Sequence, residues 1–246
     1  MNFVQNTPIF NNINIPSVHF RSAAPIYTPT FEPAQDSFST NPLIDKSTVI
    51  QAAKSNPRIM EILKEYKIPL NVNIQELEKL KCGHLMDTRI TAAKIYSALP
   101  EDLKSEINLK DLQDAAMYHD YGKALIPEKI LNKEGKLDSR EKEIMSLHSE
   151  LGYELLKNQG ISQNALDMIK YHHQKPDGSG YPVIENNFAP DISLEILTAA
   201  DKYCALREPR SYKPAMNRNE ALAILKEDVN SGSITPDVYA ALEKTV

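Results

Sequence analysis

Residues 109–123 read LKDLQDAAMYHDYGK, and this stretch sets the terms for the rest of the chain. It predicts a helix from Leu109 to about Tyr121, stopped by Gly122, a residue favoured at helix ends. Two metal-competent side chains, His119 and Asp120, sit side by side where the helix finishes. Imidazole and carboxylate hold first-row transition metals without help from thiolates. Neighbours on a helix point about 100° apart, so the pair serves one compact ion poorly. It suits two ions, with Asp120 offering one oxygen to each.

The histidines outside this stretch extend the pattern. Of six in the chain, five fall in order with two aspartates: His84, His119-Asp120, His148, His172-His173 and Asp201. The sixth, His19, lies far upstream. A lone histidine on an apolar helix is ordinarily a hydrogen-bonded core residue; the ordered series is what points to ligation. These groups are too many for one tetrahedral zinc site, which uses four protein ligands when structural and three when catalytic. Two ions sharing a bridging carboxylate accommodate them, an arrangement used in phosphoester hydrolysis.

The sequence from Lys46 onward reads as helical almost throughout. Ile62, Leu63 and Tyr66 recur at helical spacing after Pro57, which suits a first turn. A long helix is expected from about Ile74 to Ala98, carrying His84. Asp138 with Glu141 resembles a capping box that opens the helix leading to His148. Ser162 caps the helix ending at His172-His173, and Ile192–Leu206 forms an apolar helix carrying Asp201. Asn217 with Glu220 and Thr235-Pro236 open two more. No alternating strand pattern competes. The expected class is therefore all-α: a helical bundle over residues 46–246, with the metal site between helices. Each ligand group falls on a different predicted helix, so antiparallel packing can bring the groups to one level of the interior.

Residues 1–45 differ. They carry Pro8, Pro16, Pro25, Pro29, Pro33 and Pro42, many asparagines and a single basic residue, Arg21. Such a segment buries too little surface to offset its ordering entropy and is expected to be a disordered tail. Phe3, Phe10, Phe20, Phe31 and Phe38 give it the means to dock on a protein partner; a leader with no specific role fits equally well. Charged residues at 25% and apolar residues at 41% are ordinary for a soluble protein. With no apolar run of membrane-spanning length and no secretory signal, the expected setting is the cytoplasm, without a membrane partner. A net charge of −5 argues against a nucleic-acid polymer as partner, because polyanion binding normally needs a basic face. It leaves room for a small anionic substrate. Cys82 and Cys204 have no zinc-knuckle spacing and read as packing residues, although each lies near a proposed ligand.

His119-Asp120-Tyr121-Gly122-Lys123 resembles the HDxGK motif of the HD phosphohydrolase superfamily. The run from His172 to Pro182, HHQKPDGSGYP, resembles the signature of its HD-GYP subfamily. The likeness continues through Ile126-Pro127, Gly135-Lys136-Leu137, His148 with Gly152, Asp201, Ala205-Leu206, Arg210 and Tyr212-Lys213, covering about residues 80–220. It implies hydrolysis of cyclic di-GMP to linear pGpG, with onward hydrolysis to GMP as an alternative end point, using two divalent transition-metal ions, iron or manganese. His84, His119, Asp120 and Asp201 would hold one ion, and Asp120, His148, His172 and His173 the other. The implied catalytic groups are Asp120 and Lys123, and the implied substrate contacts are Lys123, Tyr181, Arg210 and Lys213. Plainer roles stand beside these: Lys123 as a solvated helix-end cation, Arg210 and Lys213 as surface charges, Tyr181 as a core ring. Asp177-Gly178-Ser179-Gly180 is expected to be a turn shaping the cleft wall.

The chain also departs from the family pattern. Leu80 stands where some members place a third-ion glutamate. Gln174-Lys175 replaces the usual Glu-Arg, Ser211 a proline, and Glu195 an arginine; Val183–Asp191 lacks the customary glycines. The ligand set is intact while the substrate rim has drifted. Another cyclic dinucleotide or nucleotide phosphoester is therefore an alternative substrate, and a non-catalytic cyclic-dinucleotide sensor is a further alternative.

Overall fold

Twelve α-helices make up the described part of the computed structural model, which covers residues 44–184, 188–209 and 214–246. The expected tail, apart from Ile44 and Asp45, lies outside the described residues, as do Arg210, Ser211, Tyr212 and Lys213. In order the helices are α1 (Lys46–Ser55), α2 (Pro57–Glu65), α3 (Ile74–Cys82), α4 (His84–Ala98), α5 (Glu101–Lys104) and α6 (Leu109–Tyr118). They continue with α7 (Glu128–Leu131), α8 (Ser139–Leu156), α9 (Gln163–Tyr171), α10 (Ile192–Arg207), α11 (Arg218–Asn230) and α12 (Pro236–Thr245). A 3-10 turn, Tyr121–Leu125, links α6 to α7. No strand occurs among the described residues; one isolated antiparallel bridge joins His173 to Tyr181.

The start signals operate as their chemistry requires. Asp138 accepts from the Glu141 amide while Glu141 reaches back to the Asp138 amide, a complete capping box. Asn217 and Glu220 repeat it at α11. Ser162 and Thr235 cap α9 and α12. Asn56 accepts from the amides of Arg58 and Ile59, ahead of Pro57 in the first turn of α2.

Two helices are shorter than their sequence predicts, and both corrections bear on the site. The expected helix over 74–98 is broken at Gly83, whose backbone leaves the helical region. Glycine is the weakest helix former after proline, by about 1 kcal/mol relative to alanine, so the break falls there. His84 thereby becomes the first residue of α4. The helix from Leu109 ends at Tyr118, not Tyr121: His119 is its cap and Asp120 precedes the 3-10 turn.

The core is built around α4 and α10. α4 packs against α6, α10 and α12, and α8 packs against α9 and the 3-10 turn. Leu85, Ala92, Ile95, Leu112, Ala115, Leu197 and Ala200 are fully buried between them. Each Leu or Ile contributes about 1.5–3 kcal/mol by leaving water. No helix among the described residues is long and apolar enough to cross a membrane.

Candidate metal centre

His84 enters from the start of α4, His119 and Asp120 from the end of α6, and His148 from the middle of α8. His172 caps α9, His173 follows it, and Asp201 projects from α10. Five of these groups thus sit at helix ends or in the turns beyond them, where adjacent side chains escape the helical angle. His84, His119, Asp120, His148 and His172 are buried.

Their ring nitrogens are oriented by the backbone. Nδ1 of His119, His148 and His172 lies 3.0, 2.7 and 2.7 Å from the carbonyls of Ala116, Met145 and Ile169. Each Nδ1–H therefore donates outward and turns Nε2 toward the centre. Those inward atoms crowd together. His148 Nε2 is 3.3 Å from His172 Nε2 and 3.2 Å from His173 Nε2, and His119 Nε2 has no hydrogen-bond partner. Lone pairs this close need a shared proton or a cation between them.

Asp120 lies between two unlike half-sites. Its Oδ1 is 3.3 Å from His148 Nε2 and 4.0 Å from His172 Nε2. Its Oδ2 is 3.4 Å from His119 Nε2 and 3.7 Å from His84 Nε2. Asp201 Oδ1 completes the second side, 2.9 Å from His84 Nε2 and 3.6 Å from His119 Nε2. His84, His119 and Asp201 form one group of converging donors and His148, His172 and His173 another, with His119, Asp120 and His172 a third that joins them. The donor set, imidazole nitrogen and carboxylate oxygen, fits divalent transition-metal ions.

Electrostatics separate the halves. Burial pulls the His148 imidazole down to about 3, against the pull of Asp120. It also pulls His172 well below the ordinary histidine value, helped by the neighbouring rings, and lowers His173. That half is neutral and ready to donate lone pairs. In the other half burial opposes charge but loses: Asp120 and Asp201 raise His119 to about 10. Lys123 and His119 hold Asp120 well below the carboxylate range, and His119 and His84 do the same for Asp201.

Glycine makes this arrangement possible at two points. A Cβ at Gly122 would overlap the His148 carbonyl and lie 2.6 Å from the Gly152 amide nitrogen. Gly122 therefore does not act as the expected helix stop; its missing side chain lets the 3-10 turn press Asp120 against α8. A Cβ at Gly180 would overlap the His173 carbonyl, which receives the Tyr181 amide at 3.3 Å. The Asp177–Gly180 segment is a turn, with Gly178 at φ 75° and the Ser179 amide donating to Asp177.

Among the remaining predicted site residues, Lys123 Nζ lies 2.5 Å from Asp120 Oδ2, at the partly exposed mouth. The Tyr181 ring is 4.7 Å from that of His173 and edge-on to His148 at 6.2 Å. It packs behind the histidines. Cys204 is buried with Sγ 3.4 Å from Thr91 Oγ1, its thiol pushed up to about 11 by burial. It stands outside the groups of converging donors.

Three roles escaped the sequence reading. Gln174 is buried, accepts from the Lys175 amide and donates to the Pro182 carbonyl, so it ties the glycine turn shut. Glu195 accepts from the Thr235 amide and hydroxyl at 3.0 and 2.8 Å, pinning α10 to the start of α12. Glu208 Oε2 lies 3.8 Å from His84 Nδ1; its position two turns after Asp201 on one helix was the available signal. A cavity of about 640 Å³ flanks the second histidine group, with His172, His173, Lys175, Glu195 and Lys202 in its lining.

Fold and centre together define an α-helical bundle whose converging histidine and aspartate side chains, most of them at helix ends, could hold metal. The chain belongs to the HD domain family, whose profile matches residues 70–238. It is similar to a 3'3'-cGAMP-specific phosphodiesterase 3 of Vibrio cholerae, 36% identical over 55% of this chain and 29% of that protein. It is also similar to the cyclic di-GMP phosphodiesterase response regulator RpfG of Xanthomonas campestris, 40% identical over 49% of this chain and 32% of that protein. A cyclic di-GMP phosphodiesterase of Thermotoga maritima is 35% identical over 57% of this chain and 38% of that protein. The matched stretch thus spans about a third of each of these relatives.

Proposed function

We propose that this chain is a phosphodiesterase of the HD-GYP type, hydrolysing cyclic di-GMP to linear pGpG with two divalent iron or manganese ions. The observation that carries the reading is the two-sided environment of Asp120, with histidine nitrogens within 4.0 Å of each carboxylate oxygen. When bound, a pair of divalent ions supplies water activation and charge neutralisation for in-line phosphoester cleavage. His84, His119 and Asp201 would hold one ion, His148, His172 and His173 the other, with Asp120 common to both.

The protein's own groups do the rest. Backbone carbonyls fix three imidazoles so that their lone pairs need no reorientation when charge arrives. Lys123, at the mouth, has its ammonium within reach of a non-bridging phosphate oxygen, where a fixed cation offsets developing negative charge. Tyr181 backs the histidines, and Gln174 with Gly180 holds that ring in place. Arg210 and Lys213 are the candidates for the second phosphate. The names of the relatives favour a cyclic dinucleotide, and the first of them favours 3'3'-cGAMP as a second reading of the base pattern.

The test is turnover by metal-loaded, anaerobically purified protein of a panel containing cyclic di-GMP, 3'3'-cGAMP and cyclic di-AMP. Chelator-sensitive cleavage of cyclic di-GMP to pGpG is expected. Strong preference for another member replaces the substrate but keeps the chemistry. Tight binding without cleavage sinks the enzymatic reading.

A further inference from the structure

His84 differs from the other oriented histidines. The Nδ1 atoms of His119, His148 and His172 each have a carbonyl three residues back. At His84 that position is Lys81, on the far side of the Gly83 break. His84 Nδ1 is buried and has no hydrogen-bond partner. Ligation through Nε2, which now lies 2.9 Å from Asp201 Oδ1, requires the ring proton on Nδ1, and no acceptor stands within hydrogen-bond distance of that atom.

Among the described residues, one acidic group lies within 4.0 Å of that atom. Glu208 Oε2 is 3.8 Å away, roughly 1 Å longer than an N–H···O bond. The Glu208 backbone is fixed, because its amide donates to the Cys204 carbonyl at 3.0 Å as the cap of α10. Its side chain is 42% exposed, so a change of rotamer can close that gap. The start of α4 has no side-chain cap, so a carboxylate there also meets the positive end of the helix dipole. Asp201 and Glu208 thus bracket the His84 imidazole from one helix, Asp201 on Nε2 and Glu208 on Nδ1.

We propose that Glu208 is a positioning residue for His84, accepting its Nδ1–H and committing Nε2 to the ion of the His84–His119–Asp201 half-site. The inference rests on the two-ion reading. Its reach is local: the His148–His172–His173 half-site, oriented by Met145 and Ile169, does not depend on Glu208.

The experiment is a manganese titration of metal-free full-length protein, followed by electron paramagnetic resonance, for the wild type, Glu208→Ala and Glu208→Gln. The wild type is expected to bind two ions per chain and to show exchange coupling between them. Removing a carboxylate behind a ligating histidine typically weakens metal binding about 10–100-fold. Glu208→Ala should therefore weaken one of two sites by that factor and leave uncoupled manganese at intermediate loading. Glu208→Gln, which still accepts a hydrogen bond, should recover most of the loss. Wild-type affinities at both sites in Glu208→Ala overturn the proposal, as does equal weakening of both. Should the alanine variant not fold, an unchanged titration of Glu208→Gln alongside a Glu208→Leu variant that also binds normally overturns it. A wild type that takes only one ion fails the two-ion reading itself, a result distinguishable from any of these.

Discussion

Asp120 carries more of the centre than any other residue, because each of its oxygens faces a different set of nitrogens. Removing the carboxylate should disable both half-sites together, whereas removing Lys123 should leave the donors in place. We expect Asp120→Ala to fall from two ions per chain to fewer than one by elemental analysis. Lys123→Ala should keep its ions and lose turnover by about 10²-fold or more, in keeping with the loss of one transition-state charge contact. Retention of two ions by Asp120→Ala would show that Asp120 is not the shared ligand. Gly122 makes a different demand, since even one methyl group there meets the His148 carbonyl. Gly122→Ala should lower stability by about 2–3 kcal/mol through overpacking, and lower metal content with it, as read by urea denaturation and metal analysis.

Among the elements, α2 depends on a residue that serves two helices. Asn56 caps α2 and donates to both the backbone carbonyl and the carboxylate of Glu154 on α8, at 2.9 and 2.8 Å. Asn56→Ala should cost about 2–3 kcal/mol, the sum of a lost cap and a buried acceptor left unmatched; a change below about 0.5 kcal/mol would contradict the arrangement. Caps of this kind are local chemistry, which is why Asp138, Ser162, Asn217 and Thr235 were legible in the sequence. The seven converging donors were legible too, as an ordered series, although their roles as ligands rest on the proposed metals. The breaks at Gly83 and before His119 were not. Glycine's weak helix propensity sets where the first break falls, but that a break occurs at all goes with turning a histidine inward against other helices, a tertiary effect that local periodicity does not carry. The contacts of Gln174 with Pro182 and of Glu195 with Thr235 likewise join segments that only the fold brings together.

At the scale of the molecule, the centre concentrates charge and near-neutral imidazoles inside one bundle, so stability without metal should depend on pH with a definite sign. Unfolded histidines titrate near about 6.5, whereas burial holds His148, His172 and His173 below that value in the folded chain. Between those values the unfolded state binds more protons, and stability must fall as the solution becomes more acidic. Asp120 and Asp201, depressed in the fold, lose their contribution at still lower pH and steepen the same limb. His119 acts oppositely: raised to about 10, its contribution is complete below the unfolded value and disappears as the pH rises through 10. The metal-free protein should therefore be most stable near neutrality, with the acid side set by three histidines and the alkaline side by one. Urea midpoints of the metal-free protein should drop between about pH 7 and pH 5, and His148→Gln, which removes one of the three groups, should make that drop shallower. Saturating manganese should shift the acid limb to lower pH, since ions and protons compete for the same Nε2 lone pairs. A midpoint that stays level or rises toward pH 5 would mean that the folded imidazoles are already protonated, and that the His148–His172–His173 half-site is not the neutral donor set its burial implies.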